Sequence, residues 1–211
     1  MNRVSFILDG FNLYHSIRQA EEDTGASARW LDIRSLCEDY VYLFGRDAVF
    51  ERAFYFSALA HHLEATSPDV TQRHRAYIEC LKSSGVEVVL NRFKRKSVRC
   101  PTCGQRHNRY EEKETDVALA VKLLEMLALD ECDTVVLVTG DTDLAPPVRA
   151  AERLYPQKRV LFAFPYRRKN KELKHLAPAS FEIGKGQYAK YQFPDPVVLA
   201  SGRAVAKPET W

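Results

Sequence analysis

Four aspartates define the chemistry this chain could do. Asp9 closes the apolar run Val4-Ser5-Phe6-Ile7-Leu8 and leads into Gly10-Phe11-Asn12. Asp141 and Asp143 stand in Thr139-Gly140-Asp141-Thr142-Asp143, directly after Val135-Val136-Leu137-Val138. Asp116 opens the amphipathic stretch Val117 to Leu129. A single aspartate at such a boundary often only caps the next helix. The joint pattern says more, because D-G-x-N and T-G-D-x-D each put oxygen donors at the end of an apolar run. If those runs are neighbouring parallel strands, the carboxylates meet at one sheet edge. Gathered carboxylates raise one another's pKa and lose hydration, and a divalent cation relieves both costs. The set Asp9, Asp116, Asp141 and Asp143 therefore predicts a divalent metal site. Gly10 and Gly140 read as tight-turn residues that let a substrate backbone approach.

The elements that must position this set follow from periodicity. Arg3–Leu8 reads as a strand, followed by helices from about Asn12 to Glu22 and from Leu31 to Leu43. Phe50 to Ser57 is a strand, Thr71 to Ser84 a helix stopped by Gly85, and Val86 to Leu90 a strand. Val117, Ala120, Val121, Leu124 and Leu127 give Glu114 to Leu129 helical spacing. Val135–Val138 and Arg159–Phe164 are strands flanking a helix from Leu144 to Leu154, with Pro146 and Pro147 tolerable only in its first turn. Apolar strands alternating with helices predict a three-layer, doubly wound α/β fold with a mostly parallel sheet. Ligands of such sheets sit outside the carboxyl ends of the strands, where Asp9 and Asp141 fall. The expected organisation is one domain over 1–193, interrupted by a basic segment at 91–111, with a loosely attached tail over 194–211.

The charge is +3 on 211 residues, too mild to assign a partner, but its distribution is uneven. Arg92, Lys94, Arg95, Lys96 and Arg99 cluster in one block, and Arg167, Arg168 and Lys169 open another. Leaving one strand at Leu90 and returning just ahead of Asp116, the first block should overhang the acidic edge. Phe93 and Tyr110 are placed to stack bases, so the segment suits single-stranded nucleic acid. Tyr166 and the second basic block could form the opposite wall. Cys100-Pro101-Thr102-Cys103, with His107 beyond, admits three readings: a structural zinc site, a metal-free loop, or a redox pair. A complete zinc site needs a fourth ligand that this segment lacks. His61-His62 falls in a polar loop and reads as solvent-exposed. Tyr14 and His15 follow Asp9 by about one helical turn, with packing the preferred role. Five cysteines, an odd number, favour a reducing and cytoplasmic setting. No apolar run approaches the ~20 residues of a membrane span.

The runs FILDGFNLYHS, EEKETDVALAVKLL, VVLVTGDTDLAPPVRAA and VLFAFPYRRKNKEL occur in that order and together resemble the NYN domain, a PIN-like nuclease fold, in its LabA-like subgroup. The resemblance covers roughly residues 3 to 190. It implies that Asp9, Asp116, Asp141 and Asp143 bind one or two Mg²⁺ or Mn²⁺ ions. It further implies that Asn12 orients Asp9 or touches the scissile phosphate, that Thr139 hydrogen-bonds within the pocket, and that Lys113 contacts phosphate. The implied reaction is metal-assisted hydrolysis of RNA, and relatives with PIN-like folds often form homodimers. A non-catalytic RNA- or protein-binding regulatory module on the same fold is the competing reading. A haloacid-dehalogenase-type phosphatase needs a second aspartate two residues after the first, where this chain has Phe11.

Overall fold

The computed structural model describes residues 1–211. Its centre is a seven-stranded sheet in the order β4-β3-β2-β1-β5-β6-β7. The strands are β1 (Asn2–Asp9), β2 (Ala48–Ala58), β3 (Glu87–Arg99), β4 (Arg106–Lys113), β5 (Thr134–Val138), β6 (Arg159–Phe164) and β7 (Phe181–Glu182). All neighbours pair parallel except β3 and β4. The central strands are covered on both faces, which is why β5, Thr134–Val138, is buried at every position. Burying each of its aliphatic side chains contributes roughly 1.5–3 kcal/mol.

The connecting helices are α1 (Gly10–Thr24), α2 (Ile33–Tyr40), α3 (Val70–Ser83), α4 (Thr115–Ala128), α5 (Ala145–Leu154), α6 (Lys171–Leu176) and α7 (Lys185–Lys190). Pro146 and Pro147 fall in the first turn of α5, where no intrahelical N–H is needed. Strand order reverses about β1: the chain winds outward through β2 to β4 on one side and through β5 to β7 on the other. The carboxyl ends of β1 and β5 therefore flank the topological switch point, the usual ligand crevice of such sheets. No helix is long and apolar enough to cross a membrane.

Two segments differ from the sequence expectation. The basic segment does not interrupt β3 but extends it. The strand runs for 13 residues and turns back at the cysteines into β4, with Arg92 paired to Lys113 and Arg99 to Arg106. The segment after Pro194 is not loose. Val197–Val198 and Ala204–Val205 form a small antiparallel hairpin whose Val197 and Val205 join the core. The fully buried Trp30 donates to the Pro194 carbonyl at 3.3 Å, and Trp211 packs on Trp30 and Tyr77 with ring centroids 5.8 and 5.2 Å away.

Candidate metal centre and nucleic-acid interface

Asp9 ends β1 with its carboxylate buried and fully engaged. Oδ1 accepts from the backbone N–H groups of Phe11 and Asn12 at 3.1 and 3.0 Å, capping α1. Oδ2 accepts from Asn12 Nδ2 at 2.6 Å and from Thr139 Oγ1 at 3.0 Å. Thr139 Oγ1 accepts in turn from the Asp141 N–H at 3.2 Å, and Asn12 Oδ1 from the Gly140 N–H at 3.4 Å. Asp9, Asn12 and Thr139 thus form one network that ties the first strand end to the T-G-D-x-D loop. Its function in the geometry is positional.

The converging oxygens belong to the other three aspartates. One carboxylate oxygen each from Asp116, Asp141 and Asp143 lies within 4.8 Å of the others. Asp116 comes from the first turn of α4, and Asp141 caps the short 3₁₀ turn Thr142–Leu144 by accepting from the Asp143 N–H at 3.0 Å. The capping role therefore falls to Asp141, whereas Asp143 leaves its carboxylate unengaged. Asp116 is raised above the usual carboxylate range, chiefly by burial and then by the charges of Asp141, Asp9 and Asp143. Asp9 is close enough to act on that charge yet is not one of the three converging oxygens. All donors are hard oxygens, the set that suits Mg²⁺ or Mn²⁺.

A fifth carboxylate was invisible as a site residue in the sequence. Glu112, at the end of β4, is half-buried and pushed up to about 7, mainly by burial, with Asp9 and Asp116 adding to it and a hydrogen bond from Thr115 opposing it. Thr115 Oγ1 donates to Glu112 and accepts from Asn91 Nδ2 at 2.9 Å, joining β3, β4 and α4. Glu112 is silent in the sequence because it reaches the site through hairpin register. Opposite residues of an antiparallel pair share a face, and Glu112 lies opposite Phe93.

That register sorts the basic residues. The face carrying Glu112 and Phe93 also carries Arg95 with Tyr110, and Arg99 with Arg106. Phe93 packs edge-on against Phe11, two residues after Asp9, at 5.6 Å, so this face looks toward the acidic edge. The opposite face carries Arg92, Lys94, Lys96 and Lys113, and three of these are already paired. Arg92 pairs with Glu114 at 2.5 Å, while Lys96 and Lys113 pair with Glu111 at 3.3 and 3.0 Å. His62 is not simply solvent-exposed as its polar loop suggests. It stacks on Tyr110 at 4.3 Å and 11° and meets Phe93 edge-on at 4.6 Å. Phe11, Phe93, His62 and Tyr110 therefore make a continuous aromatic path from the end of β1 up the hairpin.

The second basic block divides as well. Arg167 turns back to α1, pairing with Asp23 at 3.0 Å. Arg168 lies beside the acidic edge, and partial burial, then the Arg168 charge, hold His15 below the usual imidazole range. Lys169 forms no ion pair. The two turn glycines have a reason other than substrate access. A Cβ on Gly10 would stand 2.5 Å from the Phe56 carbonyl oxygen, and one on Gly140 closer still to that of Arg168. Protein backbone, not ligand, fills those spaces.

At the hairpin tip, Cys100 N–H donates to the Gln105 carbonyl at 2.8 Å and Gly104 N–H to that of Cys100 at 3.0 Å. Backbone N–H groups of Cys103 and Thr102 lower the Cys100 thiol from its usual value. His107 sits in β4 opposite Val98, one pair beyond the turn, and does not converge with the two thiols into a three-ligand group.

A parallel sheet wound both ways about β1, with clustered carboxylates at its switch point, defines a PIN-like α/β protein. The NYN domain model matches residues 3–183, and the chain belongs to that family, within the PIN-like nuclease superfamily. A crystal structure of a protein of unknown function from Vibrio parahaemolyticus is similar in fold, with a TM-score of 0.54 and 20% identity over 87% of this chain and 93% of that one. A comparison with functionally curated proteins gives no match.

Proposed function

We propose that this protein is a metal-dependent ribonuclease that hydrolyses phosphodiester bonds in single-stranded RNA. The observation that carries the reading is the approach of Asp116, Asp141 and Asp143 oxygens to within 4.8 Å of one another beneath a basic hairpin. These three residues would hold Mg²⁺ or Mn²⁺, with Asp9 fixing Asn12 and Thr139. A cation held there supplies Lewis-acid activation of the phosphate and of the attacking water. The protein's own groups do the rest. Arg95, Arg99 and Arg168 bind the phosphate backbone, and Phe93, His62 and Tyr110 offer stacking surfaces that tolerate any base. Family membership supports nucleic acid as the substrate class.

The test is cleavage of labelled single-stranded RNA with Mn²⁺, with Mg²⁺ and with EDTA. Asp116→Asn and Asp143→Asn are the informative variants, because neither carboxylate accepts a hydrogen bond from the protein and the fold does not lean on them. Turnover should require the cation and fall at least about a hundredfold in each variant. Activity that persists in EDTA would sink the proposal. Binding without cleavage under every metal condition would leave the regulatory-module reading instead.

A further inference from the structure

One strand over from Asp9, on the α1–α3 face of the sheet, lies a cavity of about 220 Å³. Its position follows from strand register: Asp9 pairs with Phe56, and Ser57 and Ala58 just beyond form the floor. Gly10 and Phe11, the two residues after Asp9, form the wall on the catalytic side. Tyr55, Tyr77 and Trp211 add aromatic surface, and His74 of α3 adds an imidazole. The space is ample for a planar ring system, since a cavity of about 150 Å³ already holds benzene.

The walls also carry hydrogen-bonding capacity that the protein leaves unspent. His74 makes one long contact, 3.4 Å from Nε2 to Ser57 Oγ. Burial holds its imidazole down to about 4, so near neutrality it is uncharged and offers one donor and one acceptor. A largely apolar, aromatic slot with a mixed donor–acceptor edge matches a nucleobase. A fatty chain would waste the polar groups, and a phosphate would find no free cation. Arg29 is paired with Glu21 at 2.6 Å, and Arg73 with Asp69 at 3.2 Å.

We infer that this cavity receives an unstacked nucleobase of the bound RNA, next to the phosphate presented to the acidic edge. The inference rests on the proposed hydrolysis of RNA for its biological setting, but not for its test. Phe11 would then serve two neighbours, edging Phe93 on the hairpin path and walling the cavity. A base seated there anchors the strand on the side of Asp9 opposite β5 and gives the site a means of preferring one base.

The experiment measures binding of nucleoside 5′-monophosphates to the metal-free protein in EDTA, followed by tryptophan fluorescence, with ribose 5-phosphate as the control. Trp211 lines the cavity and Trp30 packs on it, so occupancy reports directly. Nucleotides should quench saturably, with one base preferred, and ribose 5-phosphate should not. Ala60→Trp at the cavity rim and His74→Ala, which removes the imidazole without adding bulk, should each weaken nucleotide binding roughly tenfold. Equal binding of nucleotide and ribose 5-phosphate would overturn the inference, as would affinities unchanged in a folded Ala60→Trp or His74→Ala protein. Saturable, base-selective binding in a protein that never cleaves RNA would uphold the cavity and defeat the nuclease reading. Cleavage with no nucleotide binding would do the reverse.

Discussion

Replacing Asp116 with Asn should stabilise the metal-free protein while abolishing its response to Mg²⁺. Asp116 faces Asp141 and Asp143 with ligand oxygens at most 4.8 Å apart. At that distance two unit charges repel by about 0.9 kcal/mol under full water screening, and more where the site is partly buried. Two such pairs put the relief near 2 kcal/mol at low ionic strength. For a chain of this size that is a rise in Tm of about 4–8 °C. No hydrogen bond to the Asp116 carboxylate is lost to offset it. The sign of the pH dependence is fixed too. A raised carboxyl pKa means ionisation disfavours the fold, so the gap between variant and wild type should close in acid and open as pH rises past the usual carboxylate range. Salt should shrink it. With Mg²⁺ the order should reverse, because ligation stabilises only the protein that can bind. Calorimetry in EDTA and in Mg²⁺, at low and high salt, gives the comparison. A variant that melts lower than wild type in EDTA, or keeps the full Mg²⁺ shift, refutes the reasoning.

Two further outcomes follow from the hairpin. Glu112, held at about 7 against an ordinary 4.5, binds its proton more tightly folded than unfolded. Wild-type stability should therefore fall between these values as pH rises, and Glu112→Gln should remove that slope; parallel stability–pH curves for the two proteins would contradict it. Arg95→Ala with Arg99→Ala should reduce the slope of log affinity for RNA against log salt by roughly 1.4, about 0.7 per phosphate contact on a single strand. Lys96→Ala with Lys113→Ala, on the face already paired with Glu111, should change it much less. Titrations at several salt concentrations decide between the faces, and equal slope changes would refute the assignment.

The central sheet was legible because β1, β5 and β6 are covered on both faces and read as apolar runs. The aspartates were legible by type and by their place after those runs. The hairpin was not, because a two-stranded ribbon wet on both faces has no apolar alternation to betray it. RFKRKSVR therefore read as a basic interruption, although its residues are extended and paired. Glu112 and His62 were hidden for the related reason that their neighbours are set by register and by a loop 48 residues distant from Tyr110 in sequence. The packed C-terminal segment was hidden because two-residue strands and contacts made through Trp30 and Trp211 are tertiary events.

The length of β3 has a mechanical consequence. Thirteen extended residues span roughly 43 Å, and the first of them are hydrogen-bonded to β2 from Phe54 to Ala58 inside the sheet. The basic arm is thus a continuation of a strand of the sheet itself. Such an arm transmits load as a beam does. If RNA binds as proposed, such an arm would admit a thin strand and obstruct a duplex without any closing motion.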